Sequence, residues 1–575
     1  MKNKIKFISI ILYAVFMITI LQPVSAAAEE TTASITNSVQ NSVSLMNNLL
    51  TELKSLDSVT VSNYAELKNA VDNEIKNIIV SDNIQLEDTL QIGYSIYIHS
   101  SNDEKTITSP TELRHIKVTS ENVFIAFDSI ILDGNCSKRK DSGGGIEAPY
   151  KNFAVYGANI QKCKMGSGSA IDNEPEEDMG VFGIYNCTFS KNMGNETVFT
   201  ASLESLIYNC TATDNNCGGM SLGPIDENSH SDAIVYDCIM KNNSGVDGGG
   251  LNLYWSDVYI NENTIIENSS ATNGGGIYTW ECSLENHANI KNNSADKGGA
   301  VYSYKSEISN YSNTIGNSAK NGGGGIMLEE STFTLESGEI SHNKADITKN
   351  NSESIGGGIY IYTSSEKNDI TINGGSIKSN IAAVGAGIGY SYSANYNSNN
   401  TNTPSIIINN GTVSNNGYSL DENGKIINIA NEGGGIFGCY VEMNGGIIEK
   451  NIARYGAGIK TLDFKMTDGT IQNNGYYKDE NNSETLVNYW GGGVYTYGDT
   501  TITGGSISSN QAERGAGLYI VKNLTLNANA KVENNKAHDV GGGVYFYHLV
   551  SIDGTDMSKL NNNIALMDGD QYYTF

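Results

Sequence analysis

The chain has 575 residues, of which 63 are glycine, 33 are tyrosine and only 6 are proline, and its formal net charge is −28. Such an acidic chain is not expected to bind nucleic acid or an anionic membrane, because phosphate binding needs clustered Lys and Arg. A coiled coil or a helical solenoid would be rich in Ala, Leu, Glu and Lys, and this chain is not.

The first residues predict a secretory signal peptide over residues 1–26. A basic segment, MKNKIK, precedes the apolar run FISIILYAVFMITIL, and the small residues VSA end the segment. The apolar run is short for a membrane span, which favours cleavage over anchoring. We therefore expect the mature chain to be secreted, extracellular or at the cell surface, with no transmembrane segment left after cleavage.

The next two segments predict helices. Residues 27–58 form a polar leader with an apolar stripe at helical spacing, namely Val39, Val43, Met46, Leu50 and Leu53. The main domain, residues 59–575, then opens with the amphipathic sequence YAELKNAVDNEI, which places Ala65, Leu67, Ala70 and Val71 on one side. Strand-like runs follow up to residue 135. A helix at this point would cap the open end of a parallel β-sheet interior.

Residues 136–575 contain a repeated word centred on Asn. An apolar residue precedes the Asn by three positions, and Ala or Ser usually follows, as in ISHNKA, IKSNIA and IEKNIA. Most steps between successive Asn are near 25 residues, and a few are about a dozen longer. The repeated Asn are 192, 215, 243, 268, 293, 317, 343, 380, 416, 451, 474, 510, 535 and 563.

Most of these Asn are followed by a glycine word of the form GGGI or GAGI. The gap to it widens in the long units, which puts their insertions at one shared corner, and such a pattern indicates a solenoid. A leucine-rich repeat has a similar period but needs a helical return segment. Here the runs are short, β-branched and bounded by Gly, so they predict three strands per turn of a right-handed parallel β-helix. In such a fold the Asn side chains would form a ladder at a bend.

Four of the eight cysteines share one position of the repeat. Cys187, Cys210 and Cys238 each lie five residues before a repeated Asn, and Cys163 lies in the matching position of the preceding unit. Later units carry Ala or Gly there. We expect a stack of small interior side chains, although cysteines on adjacent turns would also lie within disulfide distance.

Aromatic residues alternate with apolar ones in the strand after the glycine word, as in VYSY and VYTY. Alternation predicts that these rings share one outer face of the solenoid, where they would stack from turn to turn. An aromatic strip can bind sugar faces or a protein partner, and it can equally be a stable sheet surface without a ligand. The candidate ligand-binding residues are Tyr278, Trp280, Tyr302, Tyr304, Tyr360, Tyr362, Tyr495 and Tyr497; Tyr545 and Tyr547 continue the pattern.

The Asn and Gly words together resemble the pectin-lyase-like right-handed β-helix superfamily. Over roughly residues 130–570 the repeats look most like those of polymorphic outer-membrane adhesins, which pair a GGA[ILV] word with an F-x-x-N word. The resemblance implies the fold. It leaves function open, because the same fold hosts lyases, hydrolases, adhesins and spikes.

Enzymes of that superfamily use clustered carboxylates, often with Ca²⁺ and a nearby Arg or Lys. Two acidic stretches, DNEPEED at 172–178 and DENSHSD at 226–232, fit this description, and KRKD at 138–141 would add cations. Such loops could bind Ca²⁺ or supply an acid and a base, or they could simply be solvated. The candidate catalytic residues are Asp172, Glu174, Glu176, Asp226, Glu227 and His230.

These observations favour a secreted or cell-surface, adhesin-like protein that binds a glycan or a surface protein through its aromatic face and inserted loops. No cofactor is required by this hypothesis, although Ca²⁺ is compatible with it. A polysaccharide lyase or glycoside hydrolase is the first alternative, because of the acidic loops. A purely structural stalk or surface element is the second.

Overall fold

The computed structural model describes residues 28–136, 143–166, 168–175, 180–224, 226–348, 353–363, 368–392, 405–479, 483–527, 529–547 and 557–574. The proposed signal peptide lies outside the described residues. The chain divides into two compact units. Unit 1 comprises residues 1–271 and 280–284, and unit 2 comprises residues 272–279 and 285–575.

Two α-helices lie near the start of unit 1, as the sequence predicts. Helix α1 is Ala28–Lys54 and helix α2 is Tyr64–Asp72. Asn63 caps α2 by accepting a hydrogen bond from the Glu66 backbone N–H, while the Glu66 carboxylate accepts one from the Ser62 N–H, a reciprocal capping arrangement. Leu67, Ala70 and Val71 of α2 are buried, and Ala65 is exposed, against the prediction.

Both units are built from turns of parallel β-strands, and the fold is a right-handed parallel β-helix. Each turn carries a first strand after the glycine corner, then a second strand, and a third strand before the repeated Asn. Equivalent strands of successive turns pair in parallel, for example Val301–Tyr304 with Ile326–Glu329. One face of each strand points into the solenoid interior, where stacked Ile, Val, Leu and Phe side chains form the core.

The strands of unit 1 are as follows. The first strands are Leu90–Ile92, Ile116–Val118, Ile146–Glu147, Ile171–Asn173, Val198–Ala201, Met220–Gly223 and Leu251–Tyr254. The second strands are Val59–Val61, Asn77–Val80, Ile96–His99, Val123–Asp128, Phe153–Tyr156, Val181–Tyr185, Glu204–Tyr208, Ser231–Tyr236 and Ser256–Ile260. The third strands are Ile84–Gln85, Lys105–Thr108, Ile130–Asp133, Asn159–Gln161, Thr188–Ser190, Thr211–Thr213, Ile239–Lys241 and Ile265–Glu267. Residues of both units occur in Ser270–Asn273, Ile277–Trp280 and Ser283–Asn286.

The strands of unit 2 follow the same order. The first strands are Val301–Tyr304, Ile326–Glu329, Ile359–Thr363, Ile388–Tyr392, Ile436–Met443, Ile459–Met466, Val494–Thr496, Leu518–Ile520, Val544–Phe546 and Tyr572–Thr574. The second strands are Glu307–Asn310, Thr332–Leu335, Ile370–Ile372, Ser405–Ile408, Thr500–Ile502 and Leu524–Leu526, and Ile436–Met443 and Ile459–Met466 also extend into this position. The third strands are Asn289–Lys291, Thr314–Ile315, Glu339–Ser341, Ser376–Lys378, Thr412–Ser414, Ile447–Glu449, Thr470–Gln472, Ser506–Ser508, Lys531–Glu533 and Leu560–Asn561.

Shorter elements of unit 2 lie between the repeated Asn and the glycine corner. They are Ser294–Lys297, Ser318–Ala319, Lys344–Ala345, Ala453–Tyr455, Gln511–Arg514, Lys536–Val540 and Ile564–Ala565, and a 3₁₀ turn, Met557–Lys559, precedes the last third strand. Two antiparallel hairpins occupy the same corner: Tyr418–Leu420 with Ile426–Glu432, and Tyr476–Lys478 with Glu484–Leu486. The wider gaps after Asn343, Asn416 and Asn474 therefore do lie at one shared corner, as predicted. Insertions are not confined to it, because residues 393–404 separate the first strand Ile388–Tyr392 from the second strand Ser405–Ile408 at a different corner.

The repeated Asn form a buried hydrogen-bonded ladder in each unit. In unit 2 the Asn416 side chain shows the pattern: its Nδ2 donates to Asn451 Oδ1 at 3.0 Å and to the Ile377 carbonyl at 2.9 Å. Its Oδ1 accepts from both the backbone N–H and the Nδ2 of Asn380, each at 3.0 Å. One amide side chain therefore satisfies buried polar groups on the turns before and after its own, which explains the requirement for Asn.

The prediction that Asn268 belongs to the ladder was wrong. Ser269 occupies the ladder position and its hydroxyl accepts from the Asn243 backbone N–H at 3.3 Å. Asn268 is exposed and has a φ of 54°. The residue before each ladder position adopts this left-handed conformation, which Asn tolerates better than most residues. Asn is thus favoured at two adjacent positions for two different reasons, and spacing alone does not separate them.

The glycine word combines a left-handed corner with close packing. Gly433 has a φ of 55°, which is unfavourable for residues with a Cβ atom. A Cβ on Gly435 would lie 2.6 Å from the Gly458 carbonyl oxygen and 3.1 Å from the side chain of Asn451. The last glycine of the word therefore leaves the space that the ladder Asn fills.

All eight cysteines are free thiols, and Cys187, Cys210 and Cys238 form the predicted interior stack in unit 1. Cys163 does not join this stack, and that part of the prediction was wrong. The strand register places Ala158 opposite Cys187, and the Cys163 backbone N–H donates to Asn192 Oδ1 at 3.0 Å, so Cys163 lies at the ladder position. Cys163, Cys187, Cys210 and Cys238 are almost completely buried. The Sγ atoms of Cys187, Cys210 and Cys238 each lie 3.3 Å from the carbonyl oxygen two residues earlier in the chain. Burial raises the pKa of the Cys210 thiol, which keeps it neutral.

Helix α1 packs on the outside of unit 1 and not on the end of its core. Its buried side chains, Ile35, Val39, Met46, Leu49, Leu50 and Leu53, contact outward residues of the second strands, namely Tyr97, Phe124, Ala126, Ala154, Tyr185, Leu206, Ile234 and Tyr259. From the first to the last of these helix residues the axial rise is about 27 Å. Seven stacked strands span about 29 Å. The equal lengths indicate that α1 runs along the solenoid axis and covers one apolar strip.

Candidate functional site

An outward column of large side chains runs along the first strands of unit 2. The parallel register aligns Tyr302, Met327, Tyr360 and Gly389, and further along it aligns Phe437, Lys460, Tyr495, Tyr519, Tyr545 and Tyr573. Adjacent rings are in contact: Tyr278 and Tyr302 stack at 5.5 Å, and Tyr519 and Tyr545 at 4.8 Å. The predicted aromatic column is therefore present in this unit. We call it the aromatic column.

The candidate ligand-binding rings occur two residues apart on one strand, as in Tyr302 and Tyr304, and the two rings of such a pair differ in exposure. The first rings, Tyr278, Tyr302, Tyr360 and Tyr495, are 4–7% exposed, because neighbouring rings and corner residues cover them. Tyr304 and Tyr362 are half-buried, and Tyr497 is 40% exposed. Tyr302 also donates a hydrogen bond from its hydroxyl to the Glu329 carboxylate. The expectation of a uniformly exposed face therefore needs correction: the first rings build the surface, and the second rings are available for contact.

Trp280 lies in unit 1, in a separate aromatic cluster. Its ring centroid is 6.4 Å from that of Tyr254 and 6.3 Å from that of Trp255. Trp280 is 37% exposed, so it is accessible as predicted. The Tyr547 ring, also predicted, is 41% exposed and lies 6.4 Å from the Tyr519 ring in unit 2.

A cleft interrupts the aromatic column in unit 2. Gly389 occupies a position where neighbouring turns carry Tyr360 and Phe437, so one large side chain is missing from the column. The cavity beside this gap has a volume of about 410 Å³, which lies in the usual range for small-ligand sites. Its lining is mostly apolar: Ile355, Val384, Tyr390, Ser391, Glu432, Phe437, Gly438, Cys439, Lys460, Thr461, Leu462 and Tyr497.

Lys460 stands in the column where the next turn carries Tyr495, and it is 5% exposed. Its Nζ pairs with Glu432 Oε2 at 2.9 Å. Four ring centroids lie within 5.2–5.8 Å of the same Nζ, those of Phe437, Tyr455, Tyr495 and Tyr497. A carboxylate and several aromatic faces together stabilise a buried ammonium group.

This arrangement gives the cleft a fixed cation in an apolar wall. An ammonium group has three N–H donors, and the Glu432 carboxylate accepts from one of them. Ring faces attract the charge without accepting a full hydrogen bond, so Lys460 keeps donor capacity for an oxygen atom of a ligand in the cleft. Phe437 and Tyr497 line the same cavity and offer apolar surface. The cleft can therefore hold a ligand that combines apolar ring faces with oxygen acceptors.

Sequence reasoning missed Lys460 and Glu432, although a signal for Lys460 exists. The word GAGIK at 456–460 aligns with GGGVY at 491–495, so Lys460 replaces the tyrosine of the repeat. Glu432 carries no such signal, because it precedes a glycine word after a hairpin whose length differs from repeat to repeat.

Among the predicted catalytic residues, Asp172 has the most unusual environment. Its Oδ2 pairs with Arg114 Nη2 at 2.8 Å, and the Arg114 side chain is 7% exposed. Arg114 also donates from Nη1 to the Gly168 carbonyl at 2.6 Å. Burial raises the pKa of the Asp172 carboxyl to about 6, although Arg114 acts in the opposite direction. Asp172 thus has the environment of an acid–base group, and Arg114 is a partner that the sequence did not reveal.

The other predicted catalytic residues do not join Asp172. Asp226 accepts from the backbone N–H of Asn228 at 2.9 Å, as in an ordinary turn. His230 Nε2 pairs with Asp257 Oδ1 at 3.1 Å, and Glu174 and Glu227 are exposed. No hydrogen bond or ion pair links the two acidic stretches in the part of the chain that the structure describes. Glu176 and the KRKD segment lie outside the described residues.

A Ca²⁺ site is still a prediction. The described residues contain no group of three or more His, Cys, Asp or Glu side chains arranged to hold a metal ion. Residues 176–178, which belong to one of the acidic stretches, are not among them.

The raised pKa of Asp172 predicts a pH dependence of stability. A carboxyl group whose pKa is higher in the folded than in the unfolded state stabilises the fold at low pH and loses that contribution as pH rises through the folded pKa. Between pH 4 and pH 6.5 the wild type should therefore lose stability relative to Asp172→Asn, by about 3 kcal/mol for a shift of about two pKa units. Chemical unfolding of both proteins at several pH values measures the difference, and parallel curves would contradict the environment described for Asp172.

Two further findings do not depend on any one site. Among the described residues, no helix is both long and apolar enough to cross a membrane. Comparison with protein-family models, with curated proteins and with solved structures gave no match, so the function must be argued from the sites themselves.

Proposed function

We propose that the protein is a secreted or cell-surface, adhesin-like β-helix protein that binds a glycan through the aromatic column of unit 2. The observation that carries this proposal is the cleft in which Lys460 lies among four aromatic rings beside Glu432. The resemblance of the repeat words to those of polymorphic outer-membrane adhesins supports the adhesin-like assignment. The predicted signal peptide supports the location.

The chemistry of the cleft favours a sugar over other ligands. A pyranose ring has an apolar face that stacks on aromatic rings and a periphery of oxygen atoms that accept hydrogen bonds. Phe437 and Tyr497 supply the aromatic surface, and Lys460 supplies a donor. Tyr304 and Tyr362, half-buried on the first strands of the same unit, offer further ring surface to an extended chain of sugars.

The test is a glycan array probed with the wild type and with Lys460→Met. Methionine keeps the length and apolar stem of lysine but removes the donor and the charge, so we expect binding at least tenfold weaker, equivalent to about 1.4 kcal/mol. Lys465→Met is the matched control: Lys465 lies on the same strand and pairs with Glu442 at 2.9 Å, but it does not line the cleft. Equal binding by wild type and Lys460→Met would overturn the proposal.

Tyr497→Ala provides a second test that leaves both members of the Lys460–Glu432 ion pair in place. Tyr497 is among the more exposed rings, so its removal should leave the fold intact and still weaken glycan binding about tenfold. Thermal unfolding of each variant separates loss of binding from loss of structure. Tyr302 is unsuitable for this purpose, because it is buried and bonded to Glu329.

Asp172 favours a second candidate function, a polysaccharide lyase or glycoside hydrolase. Its raised pKa and its buried Arg114 partner are typical of an acid–base residue. Incubation with a polysaccharide panel, with and without Ca²⁺, distinguishes the two functions. New reducing ends or unsaturated uronates that disappear in Asp172→Asn would establish the enzyme, and binding without cleavage would support the adhesin.

A further inference from the structure

A second cavity lies in unit 1 and belongs neither to the aromatic column nor to the Asp172 pair. Its volume is about 430 Å³. The polar side chains that line it are Asn195, Glu196, Asn216, Ser244, Asp247, Asn252 and Tyr254, with Met220 and Val246 as apolar neighbours. None of the described lining residues is Lys, Arg or His. The cavity is therefore rich in hydrogen-bond acceptors and carries negative charge.

Asn252 gives this cavity an unused acceptor. The side chain is 6% exposed, and its Nδ2 donates to the Tyr254 hydroxyl oxygen at 2.8 Å. Its Oδ1 is buried and has no hydrogen-bond partner. A buried amide oxygen without a partner costs about 1–3 kcal/mol, and a ligand that donates a hydrogen bond to it removes that cost.

The two carboxylates lie close enough to affect Tyr254. The pKa of the Tyr254 phenol is raised, first by burial and further by the charges of Asp247 and Glu196. Tyr254 also contacts Trp255 and Trp280, at ring distances of 5.8 and 6.4 Å, and Trp280 is exposed. The cavity thus combines paired negative charge, an unused acceptor and an adjoining aromatic surface.

These features determine the chemistry of a fitting ligand. The ligand must donate hydrogen bonds, must not be anionic, and must be larger than a single ion to fill the cavity. A sugar bearing a protonated amine meets all three conditions, because its ammonium group complements Glu196 and Asp247 while its hydroxyls donate to Asn252. We propose that this cavity is a binding site for amino sugars, distinct from the glycan site of unit 2.

The test compares two ligands that differ at the amine, which is protonated in one and acetylated and neutral in the other. Binding of the glucosamine disaccharide and of its N-acetylated counterpart is measured by calorimetry with the full chain at low and at physiological salt. We expect the amine form to bind at least tenfold more tightly than the acetylated form. We also expect its affinity to fall with added salt, because charge attraction is screened.

Variants locate the binding. Asn252→Leu, which keeps the shape but removes the acceptor, and Glu196→Gln, which removes one charge at the cavity wall, should each weaken binding of the amine form about tenfold. Glu227→Gln removes the same charge from an exposed turn of unit 1 and controls for the overall acidity of the chain. Lys460→Met tests independence from the unit 2 site and should leave this affinity unchanged.

Several results would overturn the proposal. These are equal affinity for the amine and acetylated forms, binding of neither form, or binding that Glu196→Gln and Glu227→Gln weaken equally. If Asn252→Leu does not fold, Glu196→Gln alone decides the question. Loss of the amine-sugar affinity in Lys460→Met would assign the ligand to the unit 2 cleft instead, and would contradict a separate site.

Discussion

Replacing Asn451 by alanine is expected to lower the free energy of unfolding of unit 2 by about 3 kcal/mol or more. Asn451 is completely buried, and its side chain takes part in four hydrogen bonds that alanine cannot make. Two are accepted from Asn416, and two are donated to the Val413 carbonyl and to Asn474 Oδ1. The substitution leaves these partners buried without replacements, which is the most expensive way to lose a hydrogen bond.

Asn409→Ala is the matched control for this prediction. Asn409 also bonds to equivalent Asn side chains on the turns before and after it, Asn373 and Asn444, at 3.0 and 3.2 Å. It is exposed, so water replaces the lost bonds, and the expected change is within about 0.5 kcal/mol. Denaturant unfolding monitored by circular dichroism measures both variants. Equal, small losses would show that the buried ladder does not stabilise the solenoid.

Replacing Leu49 by alanine is expected to weaken the attachment of α1 to unit 1 by about 3 kcal/mol. Leu49 is fully buried in the cluster that α1 forms with the outward residues of the second strands. Once α1 detaches, a strip of apolar and tyrosine side chains becomes exposed to water, and such a strip promotes aggregation. Hydrogen–deuterium exchange should show faster exchange over residues 35–54 in the variant.

Ser44→Ala is the control, and it tests whether any substitution in α1 speeds hydrogen–deuterium exchange of the helix. Ser44 lies on the exposed side of the same helix, and alanine is a better helix former than serine. Exchange over residues 35–54 should therefore be unchanged or slower. Exchange in Leu49→Ala that matches the wild type would mean that α1 is held by something other than its apolar side.

Much of the fold could be predicted from the sequence because the repeat enforces local rules. A ladder Asn such as Asn343 or Asn380 needs an apolar residue three positions earlier and a small residue nearby, and the spacing reports both. The helix α2 lies outside the repeat and was predictable from its own amphipathic pattern of apolar residues. The error at Asn268 arose where two adjacent positions favour the same residue type for different physical reasons.

The position of α1 could not be predicted, because it depends on which strands carry outward apolar residues. Tyr97, Tyr185 and Tyr259 come from separate turns, and only the parallel register of the second strands places them in one strip. The stripe of α1 showed that the helix packs against something, but an apolar stripe does not specify its partner. Only the structure showed that the buried part of α1 is as long as a stack of seven strands.

The candidate sites also contain some features that the sequence predicts and others that it does not. The alternation rule predicted the direction of the aromatic rings, and it failed for their exposure, since Tyr302 and Tyr495 are covered by neighbours on adjacent turns. The Lys460 cleft arises from two departures from the repeat, a glycine and a lysine where tyrosines are usual. The Arg114–Asp172 pair joins residues 58 positions apart, outside any repeated word.

The most direct test of glycan binding by unit 2 is hydrogen–deuterium exchange of the wild type with and without a glycan identified on the array. We expect added glycan to slow exchange in residues 432–440, 459–462 and 494–497, which surround the cleft, and not around Asp172. Protection around residues 114 and 168–175 with none at Lys460 would contradict the proposed site.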